Sequence, residues 1–132
     1  MLAKRPNETL SHVERWLASK HCYTIRFGIS VLMRLYLDEL FDERFLAMVA
    51  QTRMPSTEER PASDGDIYYV DMMRAWYFAE ALAKQEVVAL PYLEHQGDEA
   101  LLDEWTRRKG IQKAIESRRI SDAMKAYLRT LR

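Results

Sequence analysis

The chain has 132 residues, of which 48% are hydrophobic and 11% aromatic, and its 20 Lys and Arg balance its 20 Asp and Glu. This length fits a single domain, and so high an apolar content excludes an intrinsically disordered chain. The single cysteine, Cys22, excludes an internal disulfide, and no stretch approaches the ~20 apolar residues of a membrane span, so we expect a cytoplasmic protein.

The first half of the chain shows helical spacing of apolar residues and no strand-like alternation. With only four Gly and four Pro, the composition also favours helices. We predict helices over 6–19, 23–37 and 42–52, the last with Asp42 as its N-cap.

A polar segment, 54–65, contains two Pro and one Gly and is predicted to be a loop. The next helix, 66–84 with Asp66 as its cap, is apolar almost all round, which is typical of a helix in the middle of a stack. Three more helices follow, over 86–93, 103–118 and 121–131, with Ser121 capping the last. Gly110 lies inside one of them, which indicates that another backbone packs closely there.

The predicted helices fall into pairs of a long and a short helix, repeated about every 40 residues. The pairs are 23–37 with 42–52, 67–84 with 86–93, and 104–118 with 121–131. This period is typical of HEAT-like or armadillo-type repeats, in which each pair buries its apolar face against its neighbours. We therefore predict an all-α chain that forms a short α-solenoid, with a closed helix bundle as the alternative.

The sequence indicates no metal, cofactor or catalytic acid. The three histidines are far apart, there is no Gly-rich phosphate loop and no HExxH motif, and Cys22 is expected to be a small buried residue. Most carboxylates stand near a base, and we expect the pairs Arg34–Asp38 and Glu80–Lys84 at four-residue spacing.

The formal charge is strongly polarised along the chain. Residues 105–132 contain nine Lys and Arg but only two acids, so the preceding part is acidic. A basic end favours an anionic partner such as nucleic acid, and a solvated helix surface is the alternative. Lys109 and Lys113 share one side of their helix, but the other cations flank its apolar side, so they form no single basic face.

Two residues outside the basic end are candidates for contact with nucleic acid. Arg26 begins a polar stripe with Ser30 and Arg34, and it lies in a first helical turn, where the helix dipole also favours a phosphate. Trp76 stands in a helical cluster of aromatic and Met residues. Such a cluster usually belongs to the core, but it could instead line a surface for a base or sugar.

Three stretches together resemble the C-terminal half of the AlkD-like DNA alkylation repair proteins, especially a shorter bacterial branch. They are YTIRFGISVLMRLYLD (23–38), YYVDMMRAWYFAEALAK (68–84) and LDEWTRRKGIQKAIESRRISDAMKAYLRTLR (102–132). The resemblance implies HEAT-like repeats curved around duplex DNA and, in active members, hydrolytic removal of N3- or N7-alkylated purines. It matches Arg26 to a phosphate-binding arginine and Trp76 to a tryptophan beside the lesion.

The chain also departs from this family. The family's catalytic aspartate lies in a W-x-x-x-D stretch that has no counterpart here, Ala79 replaces a family arginine, and 54–65 resembles an insertion. The expected function is therefore duplex-DNA binding through Arg26, Trp76, Lys109 and Lys113, with no catalytic residue and no base excision by this chain alone.

Two further hypotheses concern partners. A helical-repeat module can bind protein instead of DNA, because solenoids present long concave surfaces and a fold does not fix a function. The absence of the family's N-terminal half would also uncover Leu10, Val13 and Trp16, so we expect a second copy or a companion chain to cover them.

Overall fold

The structure is a computed structural model that describes residues 6–132. These residues form an all-α fold and include no β-strand. The helices are α1 (Pro6–Leu17), α2 (Cys22–Leu35), α3 (Arg44–Gln51), α4 (Asp64–Lys84), α5 (Glu86–Glu94), α6 (Glu104–Glu116) and α7 (Asp122–Thr130). One turn of 3-10 helix, Gly97–Glu99, lies between α5 and α6. No helix in this part of the chain combines the length and hydrophobicity needed to cross a membrane.

The predicted helices are all present, and Ser121 is confirmed as the cap of α7, because its Oγ accepts a hydrogen bond from the Met124 N–H at 3.1 Å. The predicted cap Asp66 is wrong. Ser63 caps α4 by accepting a hydrogen bond from the Asp66 N–H at 3.1 Å, so the helix begins three residues earlier than predicted and the loop ends sooner. This start is favourable because the carboxylates of Asp64 and Asp66 then lie in the positively polarised first turn.

The start of α3 also differs slightly from the prediction. The carboxylate of Asp42 accepts a hydrogen bond from the Arg44 N–H at 3.0 Å, as a capping residue would. However, the residue that directly precedes the helix is Glu43, whose backbone is already helical and whose side chain makes no capping bond. Asp42 therefore holds a short turn in front of α3 and is not its N-cap.

Helices α2, α4 and α6 run parallel in one layer, with α4 in the middle. At the start of α2, Cys22 and Arg26 contact Asp66 and Tyr69 at the start of α4, from 44 and 43 residues away. At the other end, Asp38 contacts Lys84, 46 residues on. Trp105 begins α6 beside Tyr68, and α6 ends near Glu80. Because starts meet starts and ends meet ends, the three helices point the same way.

Two buried arginines connect this layer to the shorter helices behind it. Arg74 of α4 donates to the carbonyls of Val49 and Ala50 in the last turn of α3, at 3.1 and 2.6 Å. Arg107 of α6 donates to the carbonyls of Leu93 in α5 and Leu131 after α7, at 3.0 and 2.9 Å. Carbonyls at the C-terminal end of a helix have no N–H partner four residues on, so each arginine helps to satisfy the end of a neighbouring helix.

Gly110 lies where the backbone of α6 packs against that of α4, as the sequence indicated. A Cβ added at Gly110 would lie 3.5 Å from the Ala75 carbonyl oxygen and 3.9 Å from the Ala75 Cα. The missing side chain therefore lets the two helix backbones pack directly against each other.

The prediction that Leu10, Val13 and Trp16 lie uncovered at one end of the stack is wrong. Leu10 and Val13 are buried with relative exposures of 9% and 0%. Trp16 is half-buried, and its ring meets the edge of Phe27 at 5.0 Å. Helix α1 packs its apolar face onto α2, so the covering surface comes from the chain itself.

The core contains a tyrosine whose hydroxyl has no hydrogen-bond partner among residues 6–132. Tyr77 is fully buried and its Oη is unpaired, and burial raises the pKa of this phenol above its ordinary value. Removing an unpaired buried hydroxyl removes a desolvation penalty. We therefore expect Tyr77→Phe to leave the free energy of unfolding unchanged or to raise it by about 1 kcal/mol, measured by urea denaturation.

Tyr36 provides the matched control for this substitution. It is also buried, with 2% exposure, but its hydroxyl forms a hydrogen bond with Thr9. Tyr36→Phe should lower the free energy of unfolding by about 1 kcal/mol, because it leaves a buried polar group unpaired. Equal losses for the two variants would contradict the assignment of Tyr77 as unpaired.

Candidate functional site

The parallel layer has an outer face that points away from α3, α5 and α7. An α-helix has 3.6 residues per turn, so Trp76 lies about 200° around α4 from Arg74, and Trp105 lies as far around α6 from Arg107. Since both arginines point towards the shorter helices, both tryptophans point away from them. The outer face is defined here as this exposed side of α2, α4 and α6. Its exposed aromatic residues are Tyr23, Phe27, Tyr68, Trp76 and Trp105.

The cations of the outer face outnumber its acids. By their positions along the helices, two acids lie on this face, Glu80 and Glu116. The cations on the face are Arg26, Arg34, Arg108, Lys109 and Lys113. Two further acids, Asp64 and Glu104, lie at the N-terminal ends of α4 and α6, at the rim of the face. Cations interleaved with aromatic rings give the face the chemistry to hold an anionic, partly aromatic ligand.

Arg26 lies across α4 and is partly used by the fold. Its Nη1 donates to the Tyr69 carbonyl at 3.0 Å, and its guanidinium carbon is 4.2 Å from the centre of the Tyr69 ring. The sequence did not indicate this bond between α2 and α4. A guanidinium has five N–H donors, and the structure gives Arg26 one protein acceptor among the described residues. Phosphate binding by Arg26 stays a prediction.

Lys109 and Lys113 lie beside the two exposed tryptophans. The Lys109 Nζ is 5.7 Å from the centre of the Trp105 ring and donates to Gln112 Oε1 at 3.1 Å. Lys113 lines a shallow pocket of ≈ 220 Å³ with Trp76, and its Nζ is 3.7 Å from Glu116 Oε1. Half-exposed contacts of this kind contribute little to stability, so both ammonium groups remain available to an anion.

Trp76 belongs to the outer face and not to the core, where clusters of this composition usually lie. Its exposure is 45%, and it continues a stripe formed by Tyr68 and Met72 at four-residue spacing. The buried positions of α4 lie on its other sides, against α2, α6 and the shorter helices. An almost wholly apolar sequence could not reveal which apolar side is left uncovered, because hydrophobicity does not distinguish those sides.

The two predicted ion pairs within helices are replaced by pairs between elements. Asp38 accepts a hydrogen bond from Lys84 at 3.0 Å, and Glu80 accepts one from Arg119 at 2.9 Å. Arg34 donates instead to Ser30 Oγ at 3.4 Å. The pairs at four-residue spacing fail because the parallel layer brings the ends of successive helices together, which the spacing rule does not take into account.

The basic end of the chain divides into groups with different roles. Arg107 is buried and holds helix ends together, whereas Arg108 and Arg119 contact the acids Glu104 and Glu80. Lys109 and Lys113 lie on the outer face. The remaining cations are Arg118, which follows α6, Lys125 and Arg129 of α7, and Arg132. The formal charge of this segment therefore overstates the charge on any one surface.

Sequence reasoning missed a buried network around Arg74. Its Nη1 donates to Asp103 Oδ1 at 2.8 Å and to Asp71 Oδ1 at 3.0 Å, and Arg53 contacts Asp103 at 3.1 Å. Burial acts to raise the pKa of Asp103, but the hydrogen bonds from Arg74 and Thr106 outweigh it and hold that pKa below its ordinary value. At Asp71 burial outweighs Arg74, and the pKa is raised. The only sequence signal was a charged residue in an apolar helix.

Cys22 is a buried residue with a protonated thiol, as its sequence context suggested. Its Sγ donates to Asp66 Oδ1 at 3.5 Å, and burial together with this carboxylate raises the pKa of the thiol. A protonated thiol is a poor nucleophile. Within residues 6–132, no three His, Cys, Asp or Glu side chains converge as a metal site would require.

Comparison with known proteins finds no matching family model, no matching curated protein and no matching solved structure.

Proposed function

We propose that this chain is a DNA-binding helical-repeat module of the AlkD-like DNA alkylation repair type, and that it binds duplex DNA through its outer face. The observation that carries the proposal is the composition of that face, where cations stand among exposed aromatic residues. Phosphate oxygens bind such cations and release counterions as they do so. The motif resemblance over 23–38, 68–84 and 102–132 gives the same answer independently.

A repeat architecture, a short α-solenoid, is part of the proposal. It is supported by contacts between parallel helices at sequence separations of 43 and 44 residues from α2 to α4, and of 37 residues between Tyr68 of α4 and Trp105 of α6. A second support is that Arg74 and Arg107 make the same kind of contact from successive long helices. Each donates a hydrogen bond to a carbonyl at the C-terminal end of a shorter helix. The recurrence of this interaction in two successive long helices is typical of a repeat and is not expected of a closed bundle.

The proposed contacts follow from the arrangement of the cations. Lys109 and Lys113 are one helical turn apart, about 6 Å along α6, which is close to the spacing of successive phosphates. Arg26, on the far side of α4, would bind a more distant part of the backbone with the guanidinium N–H groups that Tyr69 leaves unused. Each phosphate contact contributes about 0.9 to the slope of log affinity against log salt.

A titration of labelled duplex DNA at several salt concentrations tests the proposal. The double variant Lys109→Gln and Lys113→Gln should bind at least tenfold more weakly and should reduce the salt slope by about 2. The matched control is Lys125→Gln with Arg129→Gln, which removes the same formal charge from α7 and should leave affinity within about threefold. Equal losses in both doubles would mean that net charge, and not the outer face, governs binding. Weak binding without a salt slope would refute DNA binding.

Protein binding is the second candidate, and the exposed aromatic residues favour it, since aromatic rings are enriched at protein interfaces. It predicts that the cations of the face are neutralised by acids of the same face. Among the three predicted phosphate ligands, only Lys113 lies near an acid, whereas Arg26 and Lys109 contact a carbonyl, an amide and aromatic rings. We therefore prefer DNA binding to protein binding as the proposed function.

A further inference from the structure

The exposed aromatic residues are concentrated on the outer face. Among the described residues, the large hydrophobic side chains exposed elsewhere are aliphatic, with Tyr127 of α7 as the exception. Four of the five aromatic rings on the outer face are between 41% and 54% exposed, and Tyr23 reaches 72%. An aromatic ring that stays in water contributes nothing to the core. The distribution therefore indicates a ligand with flat apolar surfaces.

Two of the exposed rings, Trp105 and Tyr23, pack edge-on against a neighbouring ring. The Trp105 ring meets Tyr68 at 5.6 Å and 68°, and the Tyr23 ring meets Tyr69 at 5.1 Å and 67°. Along α4, Tyr68, Met72 and Trp76 form a continuous stripe about 12 Å long, since eight residues rise 1.5 Å each. Rings braced by their edges lose little conformational entropy when a planar group stacks on them.

A cation lies beside two of the exposed rings, and a third cation lies over the half-buried ring of Tyr69. Lys109 lies 5.7 Å from Trp105, Lys113 shares a pocket with Trp76, and Arg26 lies 4.2 Å from Tyr69. A nucleotide has a flat base and an anionic phosphate within one residue of its chain. The alternation of rings and cations therefore matches the alternation of bases and phosphates along a strand.

Fully paired duplex DNA offers no free base plane that could stack on these rings. Its bases are stacked on each other, so it presents phosphates and groove edges at its surface but no free base planes. Unpaired bases do present their planes, and such planes stack on aromatic side chains. We infer that the DNA bound by the outer face contains a single-stranded segment whose bases stack on Trp76 and Trp105, while Lys113 and Lys109 contact the adjoining phosphates. This inference rests on the proposed function.

The test compares three labelled DNAs of one sequence, which are an intact duplex, the single strand, and the duplex with a short single-stranded gap. The full chain should bind the single strand and the gapped duplex at least tenfold more tightly than the intact duplex. Trp76→Ala and Trp105→Ala should each weaken binding to the single strand about tenfold and leave binding to the intact duplex unchanged. Trp76→Phe and Trp105→Phe should retain most of the affinity, since a smaller ring still stacks.

The control is Val87→Ala on α5, which removes a side chain that is 85% exposed but outside the outer face. It should leave every affinity unchanged, and thermal unfolding by circular dichroism should show that all variants fold. Two results overturn the inference alone: an intact duplex bound as tightly as the single strand, or alanine variants that weaken binding to both equally. Failure to bind any of the three DNAs would refute the proposed function as well.

Discussion

Replacing Arg74 with methionine is expected to lower the free energy of unfolding by about 3–5 kcal/mol, the usual effect of breaking a buried ion pair by removing one partner. The side chain of Arg74 is fully buried, although it stands in the middle of the chain's longest helix. Methionine has a similar length and packs well in apolar surroundings. The loss therefore measures the hydrogen bonds and the charge, and not a cavity.

The size of the effect follows from the number of hydrogen bonds that Arg74 donates. They go to two carbonyls of α3, to the carboxylates of Asp71 and Asp103, and to Thr106 Oγ1 at 3.0 Å. The carbonyls keep hydrogen bonds from Thr52 and Arg53, and Asp103 keeps those from Thr106. The loss therefore comes mainly from the hydrogen bonds of the charged guanidinium, since a hydrogen bond to a charged group contributes about 1.5–3 kcal/mol.

Urea denaturation followed by circular dichroism measures this loss. Arg53→Met is the matched control, because Arg53 also contacts Asp103, at 3.1 Å, but its side chain is 48% exposed. It should lower the free energy of unfolding by less than about 1 kcal/mol. If Arg74→Met does not fold, Arg74→Lys keeps the charge, and we expect a measurable but smaller loss. A loss below about 1 kcal/mol for Arg74→Met would contradict the role given to the network.

The sequence predicted the elements of this fold because local patterns determine them. Apolar spacing gave the helices, and Ser121 gave the start of α7, since a hydroxyl before a helical segment has a partner in the next turn. Gly110 even predicted a contact between helices, because an unfavourable residue in a helix interior implies a compensating close approach. Each of these inferences needs only a few neighbouring residues.

Arg74 could not be predicted in the same way. Apart from Asp71 on the same helix, its partners lie 24 to 32 residues away in α3 and at the start of α6, and only the packed fold brings them within hydrogen-bond distance. The pairs Asp38–Lys84 and Glu80–Arg119 were missed for the same reason. The partner of a long charged side chain depends on which groups the fold brings close to it. Several oppositely charged residues along a helix are usually possible partners, so the sequence alone does not identify the one that is used.

In the candidate site, too, the sequence identified the residues but not their arrangement in space. Arg26, Trp76, Lys109 and Lys113 were chosen by residue type and motif, whereas their arrangement depends on which side of each helix remains uncovered. The sequence placed Lys109 and Lys113 on one side of their helix, but it gave no reason to join Lys113 with Trp76 of α4. It also left the position of Trp76 open, because the apolar helix α4 has no polar stripe to mark its exposed side.

Asp103 offers the clearest test of how charge contributes to this fold. Its Oδ2 caps α6 by accepting hydrogen bonds from the N–H and the Oγ1 of Thr106 at 3.1 and 2.7 Å, while its Oδ1 accepts from Arg74 at 2.8 Å. Asparagine is an equally good N-cap, so Asp103→Asn removes the charge and largely keeps the cap. We expect a loss of about 1.5–3 kcal/mol in the free energy of unfolding at pH 7, the usual contribution of hydrogen bonds to a charged group.

The pH dependence of that loss follows from the lowered pKa of Asp103. A carboxyl whose pKa is lower in the folded state contributes stability above its unfolded pKa of about 3.9. That contribution disappears as the pH falls through the folded pKa. The difference between the wild type and Asp103→Asn should therefore be constant from pH 7 to about 5 and should shrink below pH 4. The pKa of Asp71 is raised in the folded state, so the contribution of Asp71 to stability falls as the pH rises. This happens in the wild type and in Asp103→Asn, so it largely cancels when the two proteins are compared.

The control is Asp122→Asn, in the exposed first turn of α7. Its effect at pH 7 should stay below about 1 kcal/mol, as expected of a surface carboxylate near a helix dipole. Urea denaturation between pH 3 and pH 7 measures both variants. If the Asp103→Asn difference stays constant across this range, its cause is the geometry of the side chain and not its charge. If it shrinks below pH 4, the charge of Asp103 stabilises the junction where α3, α4 and α6 meet.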